Sequence, residues 1–191
     1  MERIDIGSWP KSAERDRFFA RSVGTVFAAT LNAGATEIDL YDEIGAWGVT
    51  ARDFRSKLKA TTGDIKLRIN SPGGSVTDGI AIYNDLLEHK TKAKVRVEIT
   101  GVAASVASII AMAGDEIAIA ENAFFMVHNA WTGVIGNKED FAEVAATLAK
   151  MDDSMARTYA RRTGAGIRTI KQMMDDETWM NGKEAIESGF A

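Results

Sequence analysis

Two serines lie in the stretch GVAASVASIIAMAG, residues 101–114, which is otherwise small and apolar. A buried helix needs no pair of hydroxyl groups near its start, so this stretch holds a candidate nucleophile. Ser105 would follow a strand and stand at the positive end of a helix dipole, where N-cap and nucleophile are equally acceptable roles for it. Ser108 lies one turn deeper, and we expect its hydroxyl to bond to the carbonyl of Ala104. The Gly-x-Ser-x-Gly motif of many serine hydrolases is absent.

The stretch NSPGGSV, residues 70–76, suits the stabilisation of a negative charge. A strand is expected to end here and a helix to begin, with Pro-Gly-Gly between them. Glycine leaves backbone N–H groups uncovered, and such groups at a helix N-terminus can hold an anion or an oxyanion. For Pro-Gly-Gly alone, a tight strand-to-helix turn is the favoured interpretation. No Gly-Lys-Ser/Thr follows, so the sequence does not predict a phosphate-binding loop.

A serine nucleophile needs a general base, and the chain has two histidines. His128 ends an apolar predicted strand and is the better candidate, although a purely structural role would also suit it. His89 lies at a charged helix end, where we expect it to be solvated. A carboxylate must then orient the imidazole. Asp175, Asp176 and Glu177 are consecutive candidates, and spacing alone does not choose among them.

The elements that must position these groups follow from hydrophobic periodicity. The predicted strands are 37–41, 65–69, 94–100, 116–120 and 123–129, and the predicted helices are 50–60, 75–90, 104–113 and 137–164. Thr50 is the expected N-cap of the first helix, and the expected apolar face of the second consists of Val76, Ile80, Tyr83 and Leu87. Their alternation predicts right-handed crossovers and a mostly parallel sheet. We therefore predict one α/β domain over residues 36–191, preceded by a lead-in segment over residues 1–35.

Composition excludes several classes of function. A net charge of −4 without a basic run argues against a nucleic-acid partner. The absence of cysteine removes disulfides and thiolate chemistry, and two histidines are too few for a multi-histidine metal site. No apolar run is long enough to span a membrane, and the start of the chain lacks a good signal sequence. We expect a cytoplasmic protein that needs neither metal nor cofactor.

Taken together, the motifs resemble those of ClpP, the proteolytic subunit of Clp proteases, and in particular the ClpP-like head-maturation proteases of tailed phages. The resemblance runs from about residue 37 to residue 190. It depends on an ordered set of motifs: INSPGG (69–74), GIAIYN (79–84), GVAASVAS (101–108), MVHNAW (126–131), TG (163–164) and ETWMNGKEAIESGF (177–190).

The resemblance implies a ClpP/crotonase-type fold with a protruding strand-helix handle. It also implies roles for individual residues. Ser105 matches the nucleophile and His128 the general base. Gly74, the second glycine of Ser-Pro-Gly-Gly, and Val106 match the two residues whose N–H groups form the oxyanion hole.

The triad acid is the position at which this sequence departs from the family. The family usually has an aspartate there, directly before an x-aromatic pair, and this chain has Glu177. The extra methylene of glutamate requires a different approach of the carboxylate to His128. Asp176 is the alternative acid.

The implied function is that of a serine endopeptidase, ATP-independent by itself, which cleaves scaffold or capsid precursors during phage head maturation. A general degradative ClpP-type peptidase is the first alternative. A crotonase-fold acyl-CoA enzyme and an inactive structural ring are the others, and the Ser105–His128 pair argues against both.

The resemblance also implies assembly into a homo-oligomer, ring-shaped and stacked as a double ring. Trp131, Val134 and Ile135 would lie on an adhesive strand within residues 128–140, followed by the long helix. The apolar seam of that helix suits either a core or an interface. Since family members continue beyond SGFA, we expect the chain to be truncated or processed.

Overall fold

Strict alternation of apolar and polar residues builds the centre of the sheet. In strand β3 (Ile65–Ser71) every second side chain is buried. Lys66 lies on the opposite face, where its ammonium group is 3.0 Å from a carboxylate oxygen of Glu98 and 3.5 Å from one of Glu37. The sheet therefore has one apolar face and one face with ion pairs between neighbouring strands.

The computed structural model describes residues 29–32 and 34–191, so most of the lead-in segment predicted over residues 1–35 lies outside the described residues. The other strands are β1 (Ala29–Asn32), β2 (Ala35–Leu40), β4 (Val95–Ala104), β5 (Glu116–Ile119), β6 (Phe124–Val127) and β7 (Thr178–Asn181). The helices are α1 (Ala51–Lys59), α2 (Val76–Lys90), α3 (Val106–Ala111), α4 (Lys138–Thr163), α5 (Ile167–Asp175) and α6 (Gly182–Glu187).

The sheet has the order β1-β2-β3-β4-β6-β7, and β5 also pairs with β4. Pairing is parallel from β2 to β6 and antiparallel only at the two edges, β1 with β2 and β6 with β7. Strand β4 is long enough to pair with β5 through its first half and with β6 through its second half. The predicted α/β class with a mostly parallel sheet is confirmed.

Helix boundaries largely follow the capping residues, but one predicted helix face is displaced. Thr50 caps α1 as predicted, and its side chain accepts a hydrogen bond from Asp53 N. In α2 the predicted face residue Tyr83 is buried, but Leu87 is exposed, and Ile82 and Leu86 are buried beside Tyr83 instead. The helix packs against both the sheet and α3, so its buried surface is wider than a single periodic stripe.

Helix α4 has an exposed first half and a buried second half. Phe141 is half-exposed, whereas Met155 and Tyr159 are buried. The predicted strand of the handle is not formed, since residues 128–137 contain no strand. An edge strand needs a partner, and the single chain offers none there. Neither α4 nor any other helix of the described residues is long and apolar enough to cross a membrane.

His89 is buried rather than solvated as predicted. It is 8% exposed, and its Nε2 lies 2.9 Å from the carbonyl oxygen of Gly63. The loop that precedes β3 folds over the end of α2 and covers the imidazole. Sequence periodicity within α2 contains no information about that loop.

Candidate active site

Ser105 stands between β4 and α3 in an unusual backbone conformation. Its φ is 55° and its ψ is −132°, a region that residues with a side chain rarely adopt and that costs about 1–3 kcal/mol. Its side chain makes no capping hydrogen bond to the helix. Ser105 therefore occupies the N-cap position of α3 without capping the helix through its side chain, and its hydroxyl has another partner.

The hydroxyl meets His128 instead. Nε2 of His128 lies 2.7 Å from Oγ of Ser105, within the range of a good hydrogen bond. Sheet register produces this meeting, since Ala104 pairs with Met126 and the N–H of Ser105 donates to the carbonyl of Met126 over 3.1 Å. His128 directly follows β6 and lies beside Ser105, where it is 8% exposed.

The Pro-Gly-Gly turn packs directly against this serine. A Cβ atom on Gly73 would lie 2.6 Å from Cβ of Ser105 and 3.1 Å from the nitrogen of Val106. A Cβ atom on Gly74 would lie 2.1 Å from the carbonyl oxygen of Ile44. Both glycines have positive φ, 97° and 140°, so the turn requires glycine twice, for conformation and for space.

The three candidate acids point to different partners. Thr178 pairs with Val127 as the last pair in the antiparallel ladder of β6 and β7, and Glu177 and His128 are the residues that adjoin this pair. Asp176 is exposed, and its Oδ1 accepts a hydrogen bond from Gln172 within α5 over 2.9 Å. Glu177 thus lies at the same end of the β6–β7 ladder as His128, whereas the carboxylate of Asp176 bonds to a side chain of α5.

The third candidate, Asp175, binds the residue after the histidine. Its Oδ1 accepts a hydrogen bond from Nδ2 of Asn129 over 2.8 Å. Among the three carboxylates, Asp175 therefore anchors the segment that follows β6.

Asp152 is a functional candidate that the sequence reasoning missed. It lies on α4, and its Oδ1 accepts a hydrogen bond from the N–H of Ala130 over 2.7 Å. Burial raises the pKa of Asp152, and the nearby carboxylate of Asp175 adds to the rise, while the hydrogen bond and His128 oppose it. The sequence showed only an acidic pair inside an amphipathic helix, which is usually a solvated feature.

Ser108 is buried, as its place in an apolar helix predicted, but its hydrogen bonds differ from the expected one. Its hydroxyl donates to the carbonyl oxygen of Ser105 over 2.5 Å, not to that of Ala104. The same hydroxyl oxygen lies 2.7 Å from the phenol oxygen of Tyr159. The first turn of α3 is tight, with the N–H of Ser108 also bonded to the carbonyl of Ser105, which brings that carbonyl within reach.

The arrangement can carry out nucleophilic acyl chemistry. It combines an activated hydroxyl, an adjacent imidazole and backbone N–H groups at a turn and at a helix start. Within residues 29–32 and 34–191, no group of three or more His, Asp or Glu side chains is arranged to hold a metal ion.

Comparison with known proteins assigns the family. The sequence model of the Clp protease family matches residues 54–191. The chain is 32% identical over 149 residues to the ATP-dependent Clp protease proteolytic subunit of Leuconostoc citreum, a match that covers 76% of this chain and 74% of that protein. The proteolytic subunit of Pleurastrum terricola is 37% identical over 125 residues (64% and 62% covered), and that of Streptococcus pneumoniae 31% over 134 residues (68% and 67%). The chain therefore belongs to the Clp protease family.

Proposed function

We propose that the protein is a serine endopeptidase in which Ser105 is the nucleophile and His128 the general base. The observation that carries this proposal is the 2.7 Å contact between Oγ and Nε2 at a strained junction. His128 takes the hydroxyl proton as Oγ attacks a peptide carbonyl, and it returns that proton to the leaving amine. Water then repeats the sequence and releases the acyl group.

The oxyanion that forms on attack needs donors already in position. We assign this role to the N–H groups of Gly74 and Val106, the first in the Pro-Gly-Gly turn and the second at the start of α3. Support comes from the packing of Gly73 against both Ser105 and the nitrogen of Val106. The turn and the helix start thus border one small space beside the nucleophile.

The direct test uses a fluorophosphonate probe, which reacts with activated serines. We expect the folded protein to be labelled, with the label mapped to Ser105 by peptide mass spectrometry. A His128→Gln variant is the matched control and should lose labelling. Absence of label on Ser105 in the folded, assembled protein contradicts the proposal.

We assign the triad acid to Glu177, because both it and His128 adjoin the last pair of the β6–β7 ladder, Val127 with Thr178. Glu177→Gln should lower kcat by a factor of about 10²–10⁴, because the imidazole loses its orienting carboxylate. Asp176→Asn is the matched control, since that carboxylate bonds within its own helix, and it should stay within about twofold of wild type. The reverse ranking would transfer the role to Asp176.

Assembly into a ring is the further part of the proposal. Trp131 and Phe141 are about half-exposed and Ile135 is fully exposed, at 48%, 51% and 103%, and such a cluster favours burial against another chain. The active sites would then face an inner chamber. Light scattering should give a closed oligomer, and Ile135→Glu should weaken it.

We propose a degradative role on unfolded polypeptides. The relatives described above are named as subunits of ATP-dependent proteases, which supports this role over phage head maturation. We expect short peptides to be cleaved without ATP and folded proteins to need an unfolding partner. Head maturation stays a prediction, and co-expression with scaffold and capsid precursors, followed by mass spectrometry, tests it.

A further inference from the structure

We propose that Ser108 and Tyr159 form a positioning pair that fixes the peptide group between Ser105 and Val106, and with it one donor of the oxyanion hole. Neither residue touches the reacting atoms. The inference rests on the proposed function, because it assigns a purpose to two buried hydroxyl groups that the peptidase mechanism itself does not use.

The carbonyl of Ser105 is held from one side by two donors. The N–H of Ser108 donates to it over 3.0 Å, and the hydroxyl of Ser108 donates to it over 2.5 Å. This carbonyl and the N–H of Val106 belong to one planar trans peptide group, so they point in opposite directions. A carbonyl held on the helix side therefore directs the Val106 N–H to the other side.

The direction of the Tyr159 hydrogen bond follows from counting protons. A serine hydroxyl has a single proton, and Ser108 uses it on the carbonyl of Ser105. The phenol of Tyr159 must then donate to Ser108 across their 2.7 Å separation. A hydroxyl that accepts one hydrogen bond becomes a stronger donor in the next, so the bond from Tyr159 strengthens the bond from Ser108 to the carbonyl. The N–H of the same peptide group then becomes a better donor.

Tyr159 is itself held in place. It is 1% exposed, and its ring packs edge-on against Phe190 with the centroids 5.7 Å apart. Phe190 in turn lies 5.0 Å from Phe125 of β6, the strand that leads to His128. Burial raises the pKa of the Tyr159 phenol, so the hydroxyl stays protonated and remains a donor.

A role in positioning fits the backbone of Ser105. A residue at a φ of 55° remains there only if its surroundings hold it. Without the hydroxyl bond from Ser108, only the N–H of that residue would hold the carbonyl, and the peptide group after Ser105 would have more freedom to rotate. We expect the N–H of Val106 to be less well directed at the oxyanion when this bond is lost, with little effect on the binding of the substrate ground state.

The test measures kcat and KM on a fluorogenic peptide and the inhibition constant of a peptide aldehyde, whose hemiacetal adduct with Ser105 carries the oxyanion. Tyr159→Phe keeps the ring and removes only the hydroxyl. We expect its kcat to fall about three- to tenfold and that of Ser108→Ala about ten- to thirtyfold, each with KM within about twofold of wild type. Affinity for the aldehyde should fall by the same factors.

Two further variants separate positioning from stability. The double variant Ser108→Ala/Tyr159→Phe should be no slower than Ser108→Ala alone, because Tyr159 acts through Ser108. Thr158→Val removes a neighbouring hydroxyl that bonds only to its own helix, and it should leave kcat unchanged. If Tyr159→Phe lowers the melting temperature but leaves kcat and aldehyde affinity unchanged, the hydroxyl is structural and the inference is overturned.

Failure of this inference can be distinguished from failure of the proposed function. A wild-type protein that does not react with fluorophosphonate at Ser105 contradicts the peptidase assignment itself. A wild type that reacts, with a Tyr159→Phe variant of equal kcat, contradicts only the positioning pair. Since Phe fills the same volume as Tyr, this variant remains informative even if Ser108→Ala does not fold.

Discussion

Two junctions in this molecule place a serine between a parallel strand and a helix, yet they differ in almost every physical respect. Ser75 joins β3 to α2 with a φ of −59°, and its side chain accepts a hydrogen bond from Asp78 N. Ser105 joins β4 to α3 with a φ of 55° and makes no capping bond. Ser75 caps the N-terminus of α2, whereas the hydroxyl of Ser105 bonds to His128.

The position of the strain explains the difference. At the first junction the positive φ values fall on Gly73 and Gly74, so Ser75 itself is relaxed and free to cap. At the second junction no glycine stands between β4 and α3, and Ser105 adopts the positive φ itself. The two junctions meet, because Gly73 packs against Ser105, and together they border the candidate oxyanion hole.

The largest effect on activity is expected from removing the hydroxyl of Ser105. Ser105→Ala should reduce kcat on a peptide substrate by a factor of at least about 10⁴, since it removes the hydroxyl that bonds to His128. Its melting temperature should change little. Residual cleavage near the wild-type rate would show that Ser105 has no chemical role.

The contact between the two junctions gives the second prediction. Gly73→Ala would place a methyl group 2.6 Å from Cβ of Ser105, at a φ of 97°. We expect a loss of kcat of about 10²-fold or more, because the nucleophile must shift by a large fraction of an ångström. Circular dichroism checks that the fold persists. Gly133→Ala is the control, since a Cβ there meets nothing, and it should have wild-type activity.

The relaxed junction should affect stability alone. Ser75→Ala removes the cap of α2 and should lower the free energy of unfolding by about 1 kcal/mol, as measured by urea denaturation. Ser75→Asn keeps an acceptor for Asp78 N and a donor for the Asp78 carboxylate, and it should retain most of that stability. Activity should stay near wild type in both variants, and a large loss of kcat would mean that this serine also serves the active site.

The smallest expected effect concerns the surroundings of the strained junction, where Asp152 holds the segment after His128. The pKa of Asp152 is raised in the folded protein, first by burial and then by Asp175. A raised carboxyl pKa contributes stability below the unfolded value, and this contribution is lost as the pH rises through the folded value. The stability of wild type relative to Asp152→Asn should therefore fall as the pH rises above about 4, the ordinary pKa of an aspartate.

Urea denaturation of both proteins at several pH values measures this slope. Asp153→Asn is the control, since the pKa of that carboxyl is instead lowered, chiefly by its hydrogen bond with Lys171. The stability of wild type relative to this variant should change in the opposite sense, rising with pH through the acid range. A flat difference for Asp152→Asn would show that its carboxylate is solvated.

Features that depend on local pattern were predictable from the sequence. The order of strands and helices, the cap at Thr50 and the buried position of Ser108 follow from periodicity and from the preferences of single residues. The prediction at His89 was wrong because a loop distant in sequence covers it. Asp152 was missed because nothing near it in the sequence indicates that Ala130 and His128 lie beside it.

By itself, the sequence determined the α/β class, the family and the pair of residues worth testing, because these depend on residue types in a given order along the chain. Only the tertiary structure showed that the Ser105 side chain bonds to His128 and not to the helix end, paired Thr178 with Val127, and joined Ser108 to Tyr159. Those outcomes depend on strand register and on a backbone angle. Both are set by contacts between segments far apart in the chain.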